Sequence, residues 1–151
     1  MAASGPRADR RVVVQVTLVW RVEDDAGMGP YKARVRHPRD GASIGCHHEG
    51  WEHPSPWSDT LQGGERAPDW SQSDHLCVEA DEVCALESLP RLRRWFDGWG
   101  AVLHRAGHHV AVYDVPREQV RYGLRQCVFT RGDLEPVRVL TMRQAWREAR
   151  S

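Results

Sequence analysis

Residues 11–31 read RVVVQVTLVWRVEDDAGMGPY, and this stretch decides the fold class. Val12, Val14, Val16, Leu18, Trp20 and Val22 fall on one side of an extended chain, and Val13, Gln15, Thr17, Val19, Arg21 and Glu23 on the other. A period of two predicts a β-strand over Arg11 to Glu23. Its first face is wholly apolar and should be well covered. Its second face is mixed and should be partly covered. Asp24-Asp25-Ala26-Gly27 and then Gly29-Pro30 supply the turn chemistry that stops it. Arg21 therefore stands on the mixed face just before a glycine turn, a common way to present a cation to a ligand.

Downstream, Tyr31 to Val35 reads as a short strand ended by His37-Pro38-Arg39-Asp40-Gly41. From there to about Asp74 periodicity fades. Glycines, prolines, Trp51, Trp57 and Trp70 make residues 41–74 an irregular lobe, ordered rather than disordered because disordered linkers are poor in aromatics. Leu76, Val78 and Ala80 alternate and fit a short strand. Ser88 is a suitable N-cap with Pro90 in the first turn. Leu89, Leu92, Trp95, Phe96, Trp99, Val102, Leu103 and Ala106 then form one apolar stripe at helical spacing. Gly98 and Gly100 divide that helix into two candidate pieces, and Gly107 stops it. Val110 to Val115, Leu124 to Thr130 and Val137 to Leu140 read as strands. Thr141-Met142-Arg143-Gln144 fits a capping box that opens a short C-terminal helix. The order predicts an α+β fold: a compact mixed β-sheet core, one main amphipathic helix, a short C-terminal helix and the long irregular middle lobe. Residues 1–10 read as a flexible lead-in and residues 11–151 as a single domain.

Composition bounds the function. The chain of 151 residues carries 21 basic and 21 acidic side chains, so no strong net field steers it to nucleic acid or to a membrane. Lys32 is the only lysine. A G+C-rich genome favours Arg, Ala, Gly and Val codons and explains this bias, so residue type alone distinguishes no single arginine. Arg91, Arg93 and Arg94 on the outer side of the helix read as a solvated face, with no specific nucleic-acid signal. No apolar run approaches the ~20 residues of a membrane span, and the N-terminus lacks a secretory core segment. A cytoplasmic location is expected, with Cys46, Cys77, Cys84 and Cys127 as free thiols.

Four constellations bear on chemistry. Cys46, His47, His48, His53, His75, Cys77 and Cys84 supply metal-ligand types, but Cys77 and Cys84 are spaced too loosely for a zinc knuckle; zinc is disfavoured and no metal ligand is assigned. No cysteine carries a local mark of activation, and Cys127 reads as core packing. No Walker-type or dinucleotide glycine pattern is present. The segment His53-Pro54-Ser55-Pro56-Trp57-Ser58-Asp59 is stiffened by prolines. It reads equally well as a ligand-contacting loop or as a rigid turn anchored by its tryptophan.

The blocks WRVEDDAGMGPY (20–31), HPSPW (53–57), ESLPRLRRWF (87–96) and VAVYDVPREQVRYGLRQCVF (110–129) resemble small uncharacterised proteins of bacteriophages and G+C-rich bacteria. More distantly, the layout is similar to the ADP-ribosyltransferase superfamily. Members have an Arg or His on the first core strand, a Ser or Tyr beside a helix with an aromatic end, and a Glu on a later strand near an apolar run. The resemblance puts Arg21, Ser88 and Gln126 at the catalytic positions, and adds Tyr31, His53 and Ser55 as NAD-contacting candidates beside Arg21. It implies binding of NAD or a related nucleotide, with transfer of ADP-ribose if the site is active. The chain departs from the pattern at Gln126, because an amide cannot carry the charge that stabilises an oxocarbenium ion. Glu118 and Glu135 flank that strand as possible substitutes. Two rivals remain at this level: a non-enzymatic accessory protein of phage origin that binds a protein partner through the tryptophan-rich lobe, and a small zinc-stabilised module. If Arg21 serves the nucleotide, it must line a cleft facing the strand that carries Gln126.

Overall fold

The computed structural model describes residues 14–48, 53–56, 59–61 and 75–150. The lead-in, most of the irregular lobe and all three of its tryptophans lie outside the described residues. Strand β1 (Val16–Glu23) pairs antiparallel with β3 (His109–Pro116), and β3 pairs with β6 (Arg138–Leu140). A second antiparallel sheet has β5 (Cys127–Thr130) between β2 (Glu82–Ala85) and β4 (Val120–Tyr122). One bridge joins the sheets. Trp20 N donates to Leu86 O at 2.9 Å, and Leu86 N returns a bond to Trp20 O at 2.8 Å. The helices are α1 (Ile44–His47), α2 (Leu89–Trp95), α3 (Gly100–Arg105) and α4 (Met142–Glu148). The class is α+β, as the sequence predicts.

Local chemistry explains most of these boundaries. Ser88 Oγ accepts from Arg91 N at 3.3 Å and Pro90 occupies the first turn of α2. The long apolar stripe does split in two, because Gly98 adopts φ +79 and turns the chain between α2 and α3. At α4 the capping box is complete: Gln144 N donates to Thr141 Oγ1 at 3.1 Å, and Thr141 N to Gln144 Oε1 at 3.0 Å.

Four expectations need correction. The even-numbered face of β1 is not the covered one at its start, since Val14, Val16 and Leu18 are exposed while Val19 is fully buried. The second sheet packs on the odd-numbered face, where Val19 joins Tyr113, Val115, Cys127 and Phe129. The helices cover only the far end of the even face, at Trp20 and Val22. Residues 31–34 form turns rather than a strand, closed by Ala33 N to Gly29 O and Val35 N to Pro30 O. The strand expected around Leu76 to Ala80 starts later, at Glu82. Cys77 sits at φ 51, and the Arg121 guanidinium holds the carbonyls of Leu76 and Cys77 out of any ladder. Finally, β5 begins at Cys127, so Gln126 lies in the loop before the strand.

The apolar core has two parts. One lies between the sheets, with Tyr113 and Phe129 rings 5.2 Å apart. The other lies under the helices and contains Leu92, Trp95, Phe96, Leu103 and Met142. The 26–32 turn and α2 meet above the seam between β1 and β2, and a cavity opens there.

Candidate functional site

The cavity has a volume of about 460 Å³, within the range of small-molecule sites. Arg21 comes from β1, Tyr31 from the following turn, Cys84 from β2, Trp95 and Phe96 from the end of α2, and Gln126 from the loop before β5. Three of the sequence-derived site residues, Arg21, Tyr31 and Gln126, thus share one cavity.

Arg21 is not an exposed surface charge; its side chain is 11% exposed. Nε donates to Glu23 Oε2 at 3.1 Å, Nη1 to Cys84 O at 2.7 Å and Nη2 to Gly27 O at 3.3 Å. Glu23, almost fully buried, also receives Arg131 Nη1 at 3.2 Å and the Tyr113 hydroxyl at 2.5 Å. Arg131 reaches Gly27 O as well, at 2.7 Å. One buried carboxylate therefore holds two guanidiniums and a phenol. That arrangement satisfies the burial cost of each charge by pairing and hydrogen bonding. Burial, with the bond to Glu23, pushes the Tyr113 hydroxyl well above its ordinary value.

Tyr31 closes the other wall. Its ring flank is exposed, but its hydroxyl accepts from Trp95 Nε1 at 2.6 Å and lies 2.6 Å from His48 Nδ1. An indole N–H only donates, so the Tyr31 hydroxyl is the acceptor from Trp95, and the direction of its bond with His48 Nδ1 is set by the imidazole tautomer. Burial lowers the pKa of His48 to about 4, with the neighbouring His53 as the next cause. Burial also raises the Tyr31 hydroxyl far above its usual value. The Cys84 thiol, also buried, is pushed up to about 11, so it is protonated at neutral pH and is no nucleophile.

His53 and Ser55 do not line this cavity. His53 stacks on His48 with ring centres 4.0 Å apart and donates from Nε2 to Trp95 O at 2.8 Å. It lies across Trp95 in a neighbouring open groove of about 920 Å³, which also contains Arg93 and Arg94. Ser55 is exposed and lines neither space. Ser88 is occupied as the α2 cap and is not among the cavity residues. Gln126 donates from Nε2 to Pro54 O at 2.6 Å, which clamps the His53–Pro56 segment beside the site.

The sequence reading missed two supports. Asp59 is buried and receives Leu124 N, Arg125 N and Gln126 N, each at 3.1 Å. It orients the loop that presents Gln126. Among the described residues, Glu82 is the only carboxylate lining the cavity; hydrogen bonding from Arg121 holds it below the usual carboxylate range. Glu118 and Glu135 are exposed and line neither space. The arrangement of Arg21 and Glu23 was legible, because residues two apart on a strand share a face. Asp59 had no such signal, since its partners are backbone amides more than sixty residues away in sequence. Among the described residues, no three His, Cys, Asp or Glu side chains are grouped to hold a metal ion, and no helix is long and apolar enough to cross a membrane.

The fold and site define an α+β protein with a half-open cavity at the seam of two antiparallel sheets. Residues 14–143 match the family model described as Bacteriophage T4 Y00F protein, and the chain belongs to that family. The resemblance to small phage proteins holds at this level, and the match carries no ADP-ribosyltransferase signal. No curated protein and no solved structure matches the chain.

Proposed function

We propose that the protein is an ADP-ribosyltransferase-like nucleotide binder that takes NAD or a closely related nucleotide. The supporting observation is the convergence of Arg21 and Tyr31, which flank one turn, with Gln126, from a distant part of the chain, on one cavity of about 460 Å³. Apolar and aromatic walls with a few fixed polar groups suit a planar ring and a ribose. The Arg21 charge is already matched by Glu23, so the diphosphate needs other cations. Arg93 and Arg94, in the groove on the far side of Trp95, have no side-chain hydrogen bond or ion pair within the described residues and supply them. NAD would straddle Trp95, with His53 on the diphosphate side.

Binding fits better than transfer. Gln126 cannot replace the carboxylate that steadies an oxocarbenium ion, and Glu82 is committed to Arg121. The four free thiols support a reducing, cytoplasmic setting. The rival accessory role rests on Trp51, Trp57 and Trp70, which lie outside the described residues.

Calorimetric titration with NAD tests the reading. One NAD per chain should bind, with a rise in melting temperature and no steady release of nicotinamide. Tyr31→Ala should weaken binding, and Ser55→Ala should leave it unchanged. Absence of both heat and thermal shift removes the proposal.

A further inference from the structure

A second groove lies between α3 and α4, lined by residues none of which line the cavity, with a volume of about 650 Å³. Its lining includes Ala101, Met142 and the part-buried indole of Trp146, which packs against Gly100. A Cβ built at position 100 would lie 3.1 Å from Trp146 Nε1, so a larger residue there would push the indole back by a few tenths of an ångström. The rim is cationic. Arg143, Arg147 and Arg150 project from successive turns at the end of the chain, with His104 facing them from α3.

Contrast with the other arginines gives these three their meaning. Arg21, Arg91, Arg121, Arg131 and Arg138 each pair with a carboxylate. Arg143, Arg147 and Arg150 make no side-chain hydrogen bond or ion pair within the described residues. Glu148, the one acid on α4, faces away and is held by both Nη atoms of Arg138 at 3.0 Å. Among the described residues, no carboxylate lines the groove. Guanidiniums at spacings of four and three, unpaired among the described residues, with a part-buried indole among them, match a strand of alternating phosphates and flat bases.

We infer that the α3–α4 groove binds single-stranded nucleic acid. The guanidiniums contact successive phosphates, and one base stacks at the Trp146 indole. An acidic peptide would meet the charges equally well but would leave the indole unused. The inference stands independently of the nucleotide cavity, because the two sites share no residue.

Fluorescence anisotropy of a labelled oligothymidylate, titrated with the full chain at several salt concentrations, tests it. Binding should fall linearly with salt on a log–log plot. Arg143→Gln combined with Arg147→Gln should weaken binding roughly tenfold and reduce the slope by about 1.4. Trp146→Leu should weaken binding with the slope unchanged, because it removes stacking and not charge. Arg117→Gln, on the sheet side of the molecule, should change neither. Urea midpoints of each variant establish that the fold is retained. The inference is overturned by no binding at low salt, by equal losses from Arg117→Gln and the double variant, or by a polyglutamate peptide or millimolar AMP displacing the oligonucleotide as well as unlabelled strand does.

Discussion

Arg131 and Arg147 carry the same side chain in opposite circumstances. Arg131 bonds Glu23 and Gly27 O, and lies over the Tyr113 ring with its guanidinium carbon 5.6 Å from the ring centre. Arg147 stands on the exposed face of α4 with no partner within the described residues. In a chain whose base composition favours arginine, the residue type says nothing about role. The partner set does. Guanidiniums that meet a buried carboxylate hold the seam between the sheets together, whereas those on α4 are available to something outside the chain.

This contrast can be broken or sharpened by substitution. The largest effect should come from Glu23→Ala, which leaves two guanidiniums and a buried phenol without their shared acceptor. A loss of about 3–5 kcal/mol is expected in urea unfolding. A loss near zero would mean that the network is not what holds the seam. Next is Gly27→Ala. Position 27 has φ +78, and an added Cβ would fall 2.3 Å from Arg131 Nη2. The guanidinium can move, but only by leaving Glu23, so a loss of about 1–3 kcal/mol is expected. Thr141→Ala removes the cap of α4 without touching a charge. It should cost about 1 kcal/mol and weaken oligonucleotide binding only through fraying of the helix. At the small end, Arg147→Ala should change stability by less than about 0.5 kcal/mol.

A pH experiment probes the aromatic wall. Folded His48 titrates near pH 4, below its ordinary value of 6.5. The unfolded chain therefore binds a proton that the folded chain does not, and stability should fall as pH drops from about 6.5 towards 4. His48→Gln should flatten that slope in urea midpoints; an unchanged slope would assign it to another group.

Much of the fold was legible because its signals are local. The alternation of β1, the Ser88 cap, the Gly98 break and the Thr141–Gln144 box each require only neighbouring residues. The site was legible in part for the same reason. Arg21 and Tyr31 flank one turn, and the turn fixes their common side. What the sequence hid depends on partners far along the chain. Which face of β1 is buried was set by the second sheet, whose strands lie more than sixty residues on. Ser88 carried a structural explanation that proved sufficient, and it stands apart from the cavity. Ser55 shared a stiff segment with His53, but the clamp from Gln126 to Pro54 O turns it outward from the site. The sequence reading singled out no arginine of α4; the pairing of Glu148 with Arg138 leaves Arg143 and Arg147 without a counter-ion among the described residues.

The most direct test follows the tryptophan indole N–H signals by nuclear magnetic resonance during titration with NAD. The Trp95 indole donates to Tyr31 at the cavity wall, and the Trp146 indole lies in the α3–α4 groove, which shares no lining residue with the cavity. NAD should shift the Trp95 signal and leave Trp146 in place. If NAD shifts Trp146 alone, or leaves every indole signal unmoved, the cavity beside Arg21 is not a nucleotide site.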